Sequence, residues 1–204
     1  MTDRYASFAH SGPGRALVKR LGLPDPPRLR RYRPGDPLVP GPVLLDAAAG
    51  GRLRDHLGKL LAEAGVEVSE RDGGPASGPP PLHAALVYDA TGIAESSGLR
   101  ALYDFFHPLA RAVHPSGRVI VFGTPPEACR SPREATAQRA IEGFTRSLGK
   151  ELGRGITVQL VYVAPEEETA TTPAWLASVE STLRFLLSGK SAYISGQVIR
   201  IGPG

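Results

Sequence analysis

The sequence contains few of the residues on which metal and disulfide chemistry depends. Its 204 residues include one cysteine, Cys129, so the chain has no disulfide framework and no cysteine-based metal site. The five histidines are scattered without the spacing that metal ligands show. We therefore expect no bound metal.

Long apolar runs are also missing. No stretch approaches the roughly 20 apolar residues that span a bilayer, and the opening M-T-D-R-Y-A-S-F lacks the apolar segment of a signal peptide. The apolar fraction of 41% is nevertheless ordinary, and a chain of this length buries a substantial core. These features predict a cytoplasmic globular protein with no membrane partner.

Positive charge is concentrated at the amino terminus. Residues 1–40 contain eight arginines and lysines against three aspartates, a net charge of +5, so the remaining chain carries −1. The pattern of residues 1–40 predicts a basic arm with one short helix that ends at Gly22, followed by a proline-rich extended segment. Such an arm can attract phosphate, a neighbouring domain or an acidic partner. Because no nucleic-acid-binding motif accompanies it, we expect no nucleic acid as partner.

Residues 41–204 alternate between short apolar runs and amphipathic segments. The runs V-L-L-D-A, V-E-V, A-A-L-V-Y-D, G-R-V-I-V-F-G-T, I-T-V-Q-L-V-Y-V and the closing Q-V-I-R-I are typical of strands buried on both faces. Helices between such strands make parallel βαβ units. The pattern predicts an α/β fold: a three-layer, Rossmann-like or flavodoxin-like parallel sheet with helices on both faces.

Two of the predicted helices have clear boundaries. One is capped by Ser96 or Ser97, extends to Val113 and bends at Pro108. The other starts with Ser131 as cap and a capping box, and its apolar face repeats at helical spacing. The residues of that face are Ala137, Ala140, Ile141, Phe144, Leu148 and Leu152.

Several stretches resemble one family. R-A-I-E-G-F-T-R-S-L-G-K-E-L-G-R-G-I-T-V followed by V-A-P, and the ending S-A-Y-I-S-G-Q-V-I-R-I-G, are similar to short-chain dehydrogenase/reductases, in particular 3-oxoacyl-[acyl-carrier-protein] reductases. S-G-P-G-R-A-L-V-K-R-L-G-L-P with L-R-R-Y-R-P-G resembles the opening of the high-molecular-weight members. In those, a degenerate Rossmann- or flavodoxin-like domain precedes a complete reductase domain. The resemblance identifies residues 41–204 as such a degenerate domain.

The resemblance also places the family's chemistry on residues unsuited to it. The three glycines of the cofactor loop fall on Ala48, Arg52 and Arg54. The catalytic serine, tyrosine and lysine fall on Thr124, Ala135 and Arg139. An alanine has no proton to donate, and arginine side chains fill the space through which a backbone approaches a pyrophosphate. We expect no catalytic residue and no cofactor bound by this domain.

These departures predict a non-catalytic scaffold and dimerisation domain. The resemblance implies association with an NAD(P)H-dependent 3-oxoacyl-ACP or acyl-CoA reductase of fatty-acid metabolism, either C-terminal in the same chain or separate. It also implies a homodimer, and acyl carrier protein as a candidate partner of the arm. The interface residues expected from it are Phe105, Phe106, Leu109, Phe144 and Leu148.

Two other functions are compatible with the sequence. A divergent active reductase would use Tyr88 or Tyr103 as acid and Arg139 as a ligand of cofactor phosphate. A ligand-binding module would hold flavin or another ligand at the sheet, although D-A-A-A-G-G lacks the hydroxyl-rich phosphate loop of flavodoxins. Asp89, at the end of its predicted strand, is interpreted either as a functional carboxylate or as a turn or cap residue.

Overall fold

The chain folds around one parallel sheet of six strands. The computed structural model describes residues 8, 9, 11–23, 27, 29–69, 81–165 and 173–202. The strands are β1 (Val43–Ala47), β2 (Val68–Ser69), β3 (His83–Asp89), β4 (Val113–Gly123), β5 (Thr157–Val163) and β6 (Gln197–Ile201). Their spatial order is β2-β1-β3-β4-β5-β6, and all neighbours run parallel.

Helices cover both faces of the sheet. They are α1 (Gly12–Arg20), α2 (Arg54–Glu63), α3 (Arg100–Leu109), α4 (Pro132–Glu151) and α5 (Pro173–Leu187). The apolar residues of α2 and α5 join one core cluster, and those of α3 and α4 join the other. This three-layer arrangement confirms the predicted α/β fold. No helix in the described ranges combines the length and apolar character needed to cross a bilayer.

Successive residues of the central strands belong to opposite cores. In β3, Leu86 lies in the α3/α4 core and Val87 in the α2/α5 core. In β4, Ile120 lies in the α2/α5 core and Val121 in the α3/α4 core. Because side chains alternate across a strand, burial of both faces requires a continuous apolar run, which the sequence provides.

The helix before β4 is shorter than the sequence predicts. Neither Ser96 nor Ser97 caps it, because both lie in a preceding 3₁₀ turn. The helix ends at Leu109, one residue after Pro108, and a turn follows in which the Ala112 amide donates to the Leu109 carbonyl. Val113 is therefore not on the helix: it begins β4, opposite His83 at the start of β3.

Helix α4 begins as predicted. The Ser131 hydroxyl accepts a hydrogen bond from the Glu134 amide at 3.2 Å. The Glu134 carboxylate accepts from the Arg130 amide, whereas a capping box would have it accept from the Ser131 amide. Its buried face differs from the prediction, since Ala140 is exposed while Gln138 is fully buried. The polar Gln138 lies inward because backbone groups of other segments are available to its amide.

The described part of the arm packs against the amino ends of the central strands. The Arg30 amide donates to the Ser116 hydroxyl, and the Arg30 guanidinium donates to the carbonyls of Pro37 and Leu38. The arm backbone at Tyr32 lies so close to Gly189 that a Cβ added there would stand 2.6 Å from the Tyr32 nitrogen. The arm therefore packs along the amino edge of the sheet.

A buried arginine links this edge to α5. Arg118 is only 2% exposed, and its guanidinium donates to the carbonyls of Ser116, Gly117 and Ser188. Burial, together with the charge of Arg30, lowers the pKa of Arg118 to about 10, so the side chain remains charged at neutral pH. Ser188 directly follows α5, and a cation there complements the negative end of the helix dipole.

We expect Arg118→Ala to lower the free energy of unfolding by about 3 kcal/mol, because three carbonyls lose a charged donor inside the protein. Urea unfolding measures this loss. Arg118→Lys should lose less, since its ammonium keeps the charge. Lys59→Ala, a change at an exposed residue of α2, is the control. An Arg118→Ala variant as stable as the control would contradict this role.

Candidate functional site

The carboxyl ends of β1 and β3 meet where doubly wound folds bind their ligands. The sheet order places these neighbours at the point where the chain changes direction. The loop after β1 leads into α2, whose first backbone amides point toward this edge. In dinucleotide-binding folds, such amides hold the pyrophosphate.

Here the carboxylate of Asp89 occupies those amides. Its Oδ2 accepts from the amides of Leu53 at 2.6 Å and Arg54 at 3.0 Å, at the start of α2. Its Oδ1 accepts from the amide and the hydroxyl of Thr91 at 3.0 and 2.6 Å. Asp89 is completely buried. This geometry supports the cap interpretation of Asp89: its charge is neutralised by donors and by the helix dipole.

Two glycines close the loop over this carboxylate. A Cβ at Gly51 would lie 2.7 Å from Asp89 Oδ2, and one at Gly92 would lie 2.2 Å from the Ala49 carbonyl oxygen. Gly50 has a φ of +76°, which favours glycine. The glycines of this loop therefore permit contact with the protein's own carboxylate and with the turn after β3. The described geometry does not fit a dinucleotide phosphate at these amides.

The three residues at the family's glycine positions surround the same loop. Ala48 is buried, and its amide donates to the Asp89 carbonyl. The Arg52 guanidinium donates to the Val163 carbonyl at the end of β5, and the Arg54 guanidinium lies 3.7 Å from the Asp55 carboxylate. Arg52 thus joins the β1–α2 loop to β5 across the carboxyl edge.

A glutamine of α4 joins the segments that follow β3 and β4 at the carboxyl edge. Gln138 Oε1 accepts from the Thr124 amide at 2.9 Å, and its Nε2 donates to the carbonyls of Ala90 and Ile93, also at 2.9 Å. The sequence analysis did not single out Gln138. The available signal was a polar residue within the apolar stripe of the helix, between Ala137 and Ile141.

The family's catalytic positions lie around Gln138. Thr124 is buried directly after β4, and Ala135 and Arg139 flank Gln138 on α4. The Arg139 guanidinium points to solvent and pairs with the Glu142 carboxylate at 2.7 Å. The hydrogen bond between the Thr124 amide and Gln138 joins the end of β4 to α4.

The two tyrosines suggested as acids, and a third on β5, lie in different environments. Tyr88 is 2% exposed and packs on Phe105 with ring centroids 4.7 Å apart, while Tyr103 is half-exposed along α3. Tyr162, not identified from the sequence, is fully buried and donates to the Gln138 carbonyl. Burial, followed by the nearby Glu142, raises the pKa of Tyr162 and keeps it protonated.

A cavity of about 380 Å³ lies at the carboxyl edge beside the first turn of α4. Its lining residues are Glu95, Ser96, Pro132, Arg133 and Thr136. No group of three or more histidine, cysteine, aspartate or glutamate side chains within the described ranges is arranged to hold a metal ion.

The proposed interface residues divide into two groups. Phe105, Phe106 and Leu109 of α3 are buried within the chain, at 1%, 3% and 8% exposure, and their aromatic rings pack around Tyr88. A partner could not contact these three side chains extensively. Phe144 and Leu148 of α4 are half-buried and keep surface available to a second subunit.

Comparison with known proteins gives a match in structure alone. The chain aligns with a short-chain dehydrogenase/reductase from Serratia marcescens BCRC 10948 with a TM-score of 0.61 and 18% identity, covering 81% of this chain and 97% of that one. The two chains share a Rossmann-like α/β fold. Two double mutants of the Serratia enzyme match with the same TM-score and coverage, at 18% and 19% identity. No family model and no curated protein matches the sequence.

We expect Asp89→Ala to lower the free energy of unfolding by about 3 kcal/mol, because buried amides of α2 and Thr91 lose their acceptor. Chemical denaturation measures this loss. Added phosphate should restore part of the stability, since it can occupy the vacated amides.

Asp55→Ala is the matched control, because Asp55 is an exposed acid in the first turn of the same helix. Its cost should stay below about 1 kcal/mol. If phosphate stabilised the unaltered protein and Asp89→Ala equally, the vacated amides would bind no additional phosphate, and this prediction would be wrong.

Proposed function

We propose that this chain is a non-catalytic, cytoplasmic scaffold and dimerisation domain associated with an NAD(P)H-dependent 3-oxoacyl-ACP or acyl-CoA reductase of fatty-acid metabolism. The observation that carries the proposal is the Asp89 carboxylate at the amino terminus of α2. A cofactor pyrophosphate would have to displace a buried, fully hydrogen-bonded anion from those amides and then carry its own negative charge.

The second support comes from the catalytic positions. A reductase must deliver a proton to the carbonyl oxygen that receives the hydride, and Ala135 has none to give. Arg139, at the lysine position, directs its guanidinium to Glu142. Gln138 holds Thr124 and the turn after β3 through three hydrogen bonds. This edge therefore has the hydrogen bonding of a structural core.

The competing enzyme hypothesis requires another acid. Tyr88 is enclosed by aromatic rings of α3, and Tyr103 stacks on His107 with ring centroids 4.7 Å apart. A general acid must reach the reacting atom and have a suitable pKa, so these positions disfavour a divergent reductase.

The dimerisation role rests on the outer surface of α4. Phe144 and Leu148 are half-buried, and Ala140 and Gly143 beside them are exposed. A Cβ added at Gly143 would meet no atom within 4 Å. Small residues beside apolar side chains allow two helices to approach closely, as in ridges-into-grooves packing. This surface is a suitable contact for a second copy of the chain.

The activity test uses the purified chain with NADPH and a 3-oxobutanoyl thioester. We expect no oxidation of NADPH above the rate without protein, because no proton donor and no pyrophosphate site are available. Thioester-dependent NADPH oxidation that is lost in Tyr103→Phe or Tyr88→Phe would establish the divergent reductase instead. An active 3-oxoacyl reductase serves as the positive control.

The assembly test uses sedimentation of the protein at micromolar concentration. We expect a dimer that Ala140→Arg converts to monomer, because the new guanidinium would have to be desolvated inside the contact. Ala62→Arg introduces the same change at an exposed alanine of α2 and should remain dimeric. A monomeric unaltered protein, or a dimer that survives Ala140→Arg, would overturn the assignment of this surface.

A further inference from the structure

A large cleft lies at the amino edge of the sheet, away from the Asp89 network. The arm segment 30–38 forms one wall, and α5 with the turn that follows it forms the other. The cavity volume is about 660 Å³, within the range of about 300–1,000 Å³ typical of small-molecule sites. The close contact between Tyr32 and Gly189 fixes the two walls against each other.

Positive charge predominates around the cleft. Arg30, Arg184 and Lys190 line it, together with the acids Asp36 and Glu180. Glu180 is paired with Arg184 at 2.7 Å, so this acid and this cation compensate each other. Within the described ranges, no carboxylate lies at ion-pair distance from Arg30 or Lys190.

A further cation, Arg118, is buried next to the lining residues of the cleft. The Arg118 guanidinium is buried and bonds the Ser188 carbonyl, and Ser188 lines the cleft. The described ranges place no carboxylate beside it, and its Nε has no hydrogen-bond partner there. The charge of Arg30 contributes to the lowered pKa of Arg118, which is consistent with their proximity. Arg30, Lys190 and Arg118 together leave positive charge that Asp36 alone cannot balance.

Aromatic surface accompanies these charges. The Lys190 ammonium lies 4.8 Å from the centroid of the Tyr32 ring, and Tyr32 is 48% exposed. Phe185 lines the same cleft and is 37% exposed. Exposed rings next to cations offer a stacking surface for a flat heterocycle while the cations bind an anionic group.

We propose that this cleft binds a phosphorylated small molecule of nucleotide size. Lys190 and Arg30, the lining cations with no carboxylate at ion-pair distance in the described ranges, face the phosphate groups, and Tyr32 stacks on the ring of the ligand. Size, net charge and aromatic surface each favour this chemistry, and Glu180 and Asp36 disfavour a long polyanion. The site goes beyond the scaffold role and does not depend on it, because it lies at the opposite end of the strands from Asp89.

The experiment is a calorimetric titration of the full chain with ADP at low salt. We expect binding at one site per chain, weakened about tenfold by Lys190→Gln through loss of a charged contact. Tyr32→Ala should also weaken binding. Lys59→Gln, which removes the same charge from the exposed surface of α2, should change the affinity less than twofold.

Competition identifies the part of the ligand that is recognised. Inorganic pyrophosphate should displace ADP, whereas adenosine should not. Arg133→Gln, which removes a charge at the carboxyl-edge cavity, should keep the affinity for ADP, and this separates the cleft from the carboxyl edge. Absence of binding, equal losses in Lys190→Gln and Lys59→Gln, or adenosine binding as tightly as ADP would overturn the proposal. Tighter binding of a short single-stranded oligonucleotide would assign the surface to nucleic acid instead.

Discussion

The carboxylate of Asp89 is the interaction on which the carboxyl edge of this protein depends. A buried carboxylate requires several hydrogen-bond donors. This one receives four, from the β1–α2 loop, the start of α2 and the turn after β3. To reach them it needs Gly51 and Gly92, whose missing side chains allow the segments to touch. One negative charge thus fixes the position of α2, the loop before it and the end of β3.

The same contacts show how the amino terminus of α2 is stabilised from within the chain. The amino terminus of a helix attracts an anion, which either a ligand or a side chain of the protein can provide. When the chain itself provides it, the helix retains its electrostatic stabilisation without a ligand. Gln138 acts in a comparable way beside it, because its amide bonds the backbone of Thr124 and Ala90. Both side chains hold this edge together through hydrogen bonds within the chain.

The two ends of the sheet therefore differ in their polar chemistry. At the carboxyl edge, the side chains of Asp89 and Gln138 find their hydrogen-bond partners within the chain. At the amino edge, Arg30, Lys190 and the buried Arg118 have no carboxylate beside them in the described ranges, and the arm leaves a cleft next to them. Unbalanced charge beside a cavity favours the binding of an anion. The proposed ligand site accordingly lies at the opposite end of the strands from Asp89.

The sequence by itself determined the layers of the fold, because continuous apolar runs require burial on both faces of a strand. Only the tertiary structure decided which polar side chains hold the carboxyl edge together. Asp89 finds its amide donors 35 and 36 residues away, and Gln138 bonds carbonyls 45 and 48 residues away. It also decided that Phe105 and Phe106 face the core and that the arm encloses a cleft. Periodicity shows which residues share a face, but contacts between distant segments decide what covers that face.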